Sequence, residues 1–208
     1  TGPYAAGKEK YGFEGLVTPV INGKPFYQAY LIVRKDSPFR TLMDLKGHTF
    51  AFTDPDSNTG ALVPRYWLSQ LGQTPDTFFN AVIFTHSHDN SIMAVAKSMV
   101  DGACVGSPFW DYFQARNPVY TSRTRIIKKS EWFGGPPLVA AKHLSVGLKS
   151  KIRHLLVEMN DDPDGKNILD KLRIDSFRPT EEPWYATVNQ MKRDIKNAGL
   201  EGQHVEKH

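Results

Sequence analysis

No apolar run in these 208 residues approaches the length needed to span a bilayer, which excludes a transmembrane helix. Cysteine is almost absent. The one residue, Cys104, lies in the apolar run Gly102-Ala103-Cys104-Val105 and reads as a core side chain, so it says little about redox compartment. With a single thiolate to offer, the chain has no cysteine-based metal motif. Charge of one sign is in short supply too. Lys and Arg number 26 against 22 Asp and Glu, a formal charge of +4. That balance suits anionic small molecules and is too weak and scattered to argue for nucleic acid. No secretory signal is present, and a mature chain would have lost one. What remains, 40% hydrophobic and 23% charged residues, is the composition of a globular protein long enough for one large domain or two small lobes.

The most informative stretch is Asp54-Pro55-Asp56-Ser57-Asn58-Thr59-Gly60. The apolar segment 49–53 before it predicts a strand that stops at Pro55, and residues 61–71 after it predict a helix ended by Gly72. Small polar side chains and a glycine between strand and helix suit a helix N-terminus with free backbone N–H groups. Such an end attracts phosphate-like or carboxylate anions. The plainer reading is that Ser57 or Thr59 caps the helix. Pro64 predicts an irregular first turn.

Around this stretch the middle of the chain alternates strand with helix. The segments 50–52, 81–84, 102–105 and 125–127 read as strands, and 61–71, 90–99 and 109–116 as helices. Alternation of this kind predicts a parallel-dominated α/β sheet with ligands beyond the carboxyl ends of the strands. Earlier, strand 16–21 is separated from 26–33 by Asn22-Gly23, a turn signal that predicts a hairpin or β-extension. The basic run 123–129 alternates around an apolar pair, the pattern of a strand with one solvated face. Strand 138–141 follows Gly134-Gly135-Pro136-Pro137, and from Ser145 onward the chain reads as helical, over 148–159, 165–172 and 184–198. The likeness of 31–37 to 138–144 suggests two strands crossing between two lobes, one of residues 1–36 plus 137–208 and the other of 37–136.

Thr85-His86-Ser87-His88-Asp89 invites a metal reading, because the H-x-H-x-D-H pattern of metallo-β-lactamase-like hydrolases also follows a strand. Here Asn90 and Ser91 stand where the Asp and the last His are needed. A hydrolase using His86, His88 and Asp89 at a metal is the rival from another functional class. A Ser57/His88/Asp89 triad is weaker still, since Asp89 adjoins His88 and no G-x-S-x-G elbow surrounds Ser57. The two loops are better joined in another way. Ser87 or Asp89 caps the helix beginning near residue 90, and His88 then offers an N–H to an oxyanion shared with residues 54–60. The plainer alternative for His88 is a satisfied surface histidine.

Asp44-Leu45-Lys46-Gly47, the run 50–60 with Val63-Pro64-Arg65, and Ser87-His88-Asp89-Asn90-Ser91-Ile92 occur in one order and spacing. Together they resemble the periplasmic phosphate/phosphite/phosphonate-binding proteins of ABC importers, whose loop reads D-P-x-S-T-S-G and whose later segment reads S-H-D/E-x-S-I. The resemblance covers most of the chain, from Gly2-Pro3-Tyr4 to about Phe177. It implies a two-lobed type II periplasmic-binding-protein-like α/β fold, with parallel-dominated sheets flanked by helices and the first lobe incomplete at its N-terminus. It implies capture of a phosphorus oxyanion between the lobes, without catalysis, metal or cofactor, and delivery to an ABC permease outside the cytoplasm by a lipid-anchored or soluble protein. The same module fused to a membrane sensor kinase would read identically. An effector domain of a regulator is a third possibility, with no DNA-binding segment visible.

Carried over by position, Ser57, Asn58 and Thr59 bind the ligand oxygens, His88 donates from the second helix, and Tyr27 and Tyr4 reach the anion from the other lobe. Tyr30 reads as core. Asn58 and Thr59 replace the family's usual Thr and Ser and keep their hydrogen-bonding capacity. Members that take aminoalkylphosphonates have an acidic group in the segment matching 133–138, where this chain has Gly134-Gly135-Pro136-Pro137. That departure favours phosphate, phosphite or a small alkylphosphonate.

Overall fold

The computed structural model describes residues 1–200. From the N-terminus, α1 (Gly2–Tyr11) carries Pro3 in its first turn, where no intrahelical N–H is needed. The strands β1 (Glu14–Val20), β2 (Phe26–Tyr27), β3 (Ala29–Arg34) and β4 (Thr49–Phe52) follow. A π-helical turn, Asn58–Leu62, runs directly into α2 (Val63–Ser69), and α3 (Pro75–Phe78) leads to β5 (Ala81–Phe84). Next come α4 (His88–Ala96), β6 (Gly102–Gly106), α5 (Ser107–Arg116) and β7 (Thr124–Lys129). The rest is β8 (Phe133–Gly134), β9 (Leu138–Ala140), α6 (Val146–Glu158), α7 (Pro163–Leu172), β10 (Ser176–Pro179) and α8 (Ala186–Asn197). Among the described residues no helix is long and apolar enough to cross a membrane.

Two compact units emerge, Thr1–Tyr27 with Trp132–Asn189, and Gln28–Glu131 with the chain from Gln190. The chain therefore changes unit at 27/28 and 131/132, and again at 189/190, instead of at 36/37 and 136/137. Residues 201–208, expected with the first lobe, lie outside the described residues. The reason for the shift is β3. Its Leu31, Ile32 and Val33 are fully buried, and it pairs with both β6 and β7. It is an interior strand of the second unit, while β9 belongs to the first, so the likeness of 31–37 to 138–144 does not mark a pair of crossing strands.

The second unit is built on the sheet β5-β4-β6-β3-β7. β4 runs parallel to β5 and β6, and β3 runs antiparallel to β6 and β7, so four of the five strands share one direction. Strands buried on both faces need continuous apolar runs, which β3, β4 and β6 supply. One core cluster joins Ile32, Ala51, Ala103 and Val105 to Ile92 and Val95 of α4. Elsewhere in the unit Phe50 stacks on Phe79 at 4.4 Å and meets Phe52 edge-on at 5.1 Å. Cys104 is fully buried, which pushes its thiol well above the usual range. β7 exposes Lys128 and Lys129 and half-buries Ile126 and Ile127, so its burial does not follow the alternation expected of one solvated face; the register against β3 shifts between Leu31 and Ile32.

The first unit is antiparallel, with sheet order β10-β1-β9 and the separate pair β2-β8. Two expectations are corrected here. Asn22 and Gly23 do form a tight turn, at φ 52 and 73, yet it closes only an isolated bridge between Ile21 and Lys24. The flanking strands go to different sheets, so no hairpin develops. The C-terminal region is also not wholly helical, because Ser176–Pro179 pairs with β1. That short segment has no alternation to announce it; Phe177 is drawn in by Val17 and Leu169.

Tyr185 ties the unit together. Its ring is 2% exposed, and its hydroxyl donates to the Gly135 carbonyl at 2.8 Å and meets Thr18 Oγ1 at 3.1 Å. Burial pushes the phenol up to about 12, so it stays protonated at neutral pH. Tyr185→Phe is expected to cost ~1–3 kcal/mol, since a buried carbonyl loses its donor. Urea unfolding at pH 7 measures this, and a change within error would show the carbonyl satisfied by other means.

Candidate functional site

Three neighbouring strands of the second unit, β5, β4 and β6, run in the same direction, and each feeds a helix at its carboxyl end. β4 leads to the helix starting at Asn58, β5 to the one starting at His88, and β6 to the one starting at Ser107. This is the edge at which open α/β sheets hold ligands. The three helix starts bring the positive ends of three dipoles and first-turn N–H groups that have no intrahelical acceptor.

At the first start Ser57 is the N-cap, and its side chain accepts from Gly60 N–H at 3.0 Å. Asn58 and Thr59 are buried, 3% and 2% exposed. The irregularity expected from Pro64 takes the form of the π-helical turn, which widens the helix where the loop enters it. Gly60 is required by contact. A Cβ there would lie 1.7 Å from Thr53 Oγ1 at the end of β4. Lys192 on α8 also bears on this loop: burial lowers its amine, and the Asp56 carboxylate opposes that effect.

At the second start the cap is Ser87, whose side chain accepts from Asn90 N–H at 3.2 Å. Thr85 fixes the loop through a 2.6 Å contact with Ser91 Oγ, and its carbonyl accepts from Asn90 Nδ2 at 2.9 Å. His88 is then the first helical residue. Its Nδ1 accepts the Gly106 N–H at 3.1 Å, and its ring stacks on Phe109 at 4.4 Å. A nitrogen that accepts carries no proton, so the neutral ring holds its proton on Nε2. Burial pulls the imidazole down to about 4, against a smaller opposing effect of Asp89. His88 is therefore a neutral N–H donor throughout the physiological range, not a cation.

Gly106 is where the third start meets the other two. Its N–H holds His88, and a Cβ on it would touch Thr59 Oγ1 and the Phe109 ring, both at 3.2 Å. Ser107 secures the following turn, its hydroxyl accepting from Gln28 N–H at 3.0 Å and its N–H donating to the Gln28 carbonyl at 2.8 Å. Thr59, His88 and Phe109 thus gather around one α-carbon. Sequence reasoning missed Gly106 and Phe109, although a glycine ending a short buried strand before Ser-Pro was the available signal.

The remaining candidates are tyrosines. Tyr4 is 5% exposed, its hydroxyl donates to Glu182 Oε1 at 2.7 Å, and its ring meets Tyr185 edge-on. Within the first unit it packs on Tyr185 and its hydroxyl is engaged by Glu182. Tyr27 is half-buried on β2, opposite Phe133 of β8, with the two rings 6.2 Å apart. Tyr30 is core, as expected.

The chemistry available is that of donors. His86 is an exposed residue at φ 61 whose backbone N–H donates to the Thr53 carbonyl, while His88 Nδ1 is taken by Gly106. Among the described residues no group of three His, Cys, Asp or Glu side chains is arranged to hold a metal ion. Ser57 Oγ is bonded to Gly60 and not to His88, so no nucleophile–base pair is assembled from the expected residues.

A family model described as the periplasmic substrate-binding protein of phosphonate ABC transporters matches residues 1–185. The phosphonates-binding periplasmic protein of Escherichia coli K12 is 30% identical over 178 residues, 84% of this chain and 52% of its own length. The chain thus spans about half of that relative. A solved binding-protein component of a Pseudomonas aeruginosa ABC phosphonate transporter superposes with a TM-score of 0.79 at 26% identity, over 90% of this chain and 64% of that one. A Prochlorococcus marinus protein solved with methylphosphonate gives a TM-score of 0.74 at 22% identity, over 88% and 71% of the two chains, a likeness of fold.

Proposed function

The chain belongs to the phosphonate family of periplasmic substrate-binding proteins of ABC transporters, and from that membership we propose that it captures a phosphorus oxyanion for import. Its fold is of the type II periplasmic-binding-protein class. The ligand is a phosphonate, phosphite or phosphate, bound without catalysis on the extracytoplasmic side of the membrane and passed to an ABC permease.

The observation that carries this reading is the meeting of three helix starts on Gly106, with the imidazole of His88 held there as a neutral donor. Helix N-termini bind phosphate-like anions without needing a formal positive charge. Each hydrogen bond to a charged ligand contributes ~1.5–3 kcal/mol. Ser57, Asn58, Thr59 and His88 are the proposed ligand residues of the second unit. Tyr27 is a further proposed contact, supported by the family resemblance alone.

Thermal unfolding tests the proposal, using phosphate, phosphite, methylphosphonate and 2-aminoethylphosphonate, with sulfate and zinc as controls. Ligand at a hundred times its Kd stabilises the folded state by ~2.7 kcal/mol. The expected result is a raised Tm with a phosphorus oxyanion and none with sulfate or zinc, the rise shrinking in Ser57→Ala. A rise with zinc alone, or none with any phosphorus oxyanion, would overturn it.

A further inference from the structure

Phe109 is 48% exposed on α5. The ring is nonetheless held in place. It stacks on His88 with centroids 4.4 Å apart and planes inclined by 26°. A Cβ on Gly106 would meet two of its ring carbons, at 3.2 and 3.5 Å, and Thr59 Oγ1 at 3.2 Å. Gly106 thus lies between the Thr59 hydroxyl and the apolar Phe109 ring, and that ring in turn lies on the His88 imidazole. A site meant only for an ion with four equivalent oxygens has no use for that ring.

We propose that Phe109 is a specificity-determining residue of the oxyanion site and that the ligand class is small alkylphosphonates, with the P–C substituent lying on the Phe109 ring. This rests on the reading of the site given above and narrows it. A phosphonate offers three oxygens to the donors and one apolar group to the ring. Inorganic phosphate must turn a fourth oxygen, charged or hydroxyl, toward the same ring, which offers it no hydrogen-bonding group and strips it of water. A methyl or ethyl group in that place displaces water from apolar surface instead. The stack on His88 fixes the ring before the ligand arrives, so no side-chain freedom is lost on binding.

Calorimetric titration of the full-length protein with methylphosphonate, ethylphosphonate and inorganic phosphate tests the assignment. Wild type is expected to bind methylphosphonate ~10-fold or more tighter than phosphate, the scale on which a pocket distinguishes one small group. Phe109→Asn supplies an amide where the ring was, and should shrink that ratio at least ~5-fold by weakening methylphosphonate and strengthening phosphate. Phe109→Leu, which keeps an apolar surface, should retain the preference. Half-exposed Phe109 can be replaced without opening the core, and an unchanged Tm of the free variants checks this. Equal or tighter binding of phosphate by wild type, or an unchanged ratio in Phe109→Asn, overturns the role of Phe109 and leaves the oxyanion site standing. Failure of wild type to bind any of the three ligands overturns the site itself, and the inference with it.

Discussion

Gly60→Ala is expected to destabilise the protein by about 3 kcal/mol or more and to abolish high-affinity ligand binding, the upper range for overpacking a buried position. The added methyl would sit 1.7 Å from Thr53 Oγ1, and 2.7 and 2.8 Å from Thr53 Cβ and Cγ2. Rotating Thr53 offers no full escape, because even the rotamer that turns Hβ toward Gly60 leaves Thr53 Cβ 2.7 Å from the added methyl. Nor can the backbone retreat. Thr53 N–H donates to the Gly60 carbonyl at 3.2 Å, and the Thr53 carbonyl accepts from His86 N–H at 2.7 Å. Thr53 is thus held between the two ligand loops, and moving Gly60 instead pulls its N–H from Ser57 Oγ and shifts Thr59. Urea unfolding and ligand titration measure the two losses. Thr53→Ala in the same background should recover part of the stability, a coupling expected for residues in direct contact. A Gly60→Ala protein within ~0.5 kcal/mol of wild type would show that the loop packs differently.

In the proposed site His88 has a separate task for each ring nitrogen, and two substitutions should separate them. In His88→Asn the amide oxygen occupies the place of Nδ1 and can still accept from Gly106, while nothing replaces the outer N–H. Affinity should fall ~10–100-fold with little change in neutral-pH stability, the loss of one hydrogen bond to a charged ligand. In His88→Gln the amide nitrogen reaches the place of Nε2 and the acceptor for Gly106 is lost. That variant should keep more of its affinity and lose ~1–3 kcal/mol of stability, the penalty for a buried N–H left unpaired. Equal losses in both variants would argue against the division.

The same residue sets a pH dependence. Its folded pKa is about 4, below the ordinary 6.5 of the unfolded chain. Above pH 6.5 the ring is neutral in both states and contributes nothing to the balance. Between 6.5 and 4 the unfolded chain takes up a proton that the folded protein refuses, so stability falls as pH falls. Below 4 this loss levels off at about 3 kcal/mol. Unfolding measured at pH 7 and pH 4.5 should show that limb in wild type and a flatter one in His88→Asn. An equally steep limb in the variant would assign it to carboxylates alone.

Much of this was legible in the residues. The loop at 54–60 with Gly72 closing its helix, the cap at Ser87 and the buried runs of β3, β4 and β6 rest on short-range rules: cap spacing, apolar runs, glycine stops, while the family likeness rests on three motifs matched in order and spacing. The partner of Tyr4 was not legible, because its motif spacing says nothing about Glu182, which lies far along the chain and takes its hydroxyl. β10 escaped notice because four residues cannot show a period, and its strand character comes from β1.

The amino-acid order by itself determined most of the elements and the small polar loops at the helix starts, and its family resemblance named the candidate donors Ser57, Asn58, Thr59 and His88. Tertiary structure decided where those donors meet. It made β3 an interior strand of the second unit, brought three helix starts onto Gly106, and set the proton of His88 on Nε2 by aiming a backbone N–H at Nδ1. It also placed Phe109 beside them and made Gly60 irreplaceable through Thr53. The physical reason is the same in each case. Capping and periodicity act over a few residues, whereas burial, ring stacking and contacts closer than a methyl group arise between segments tens of residues apart, and exist only once the sheet has brought its strand ends together.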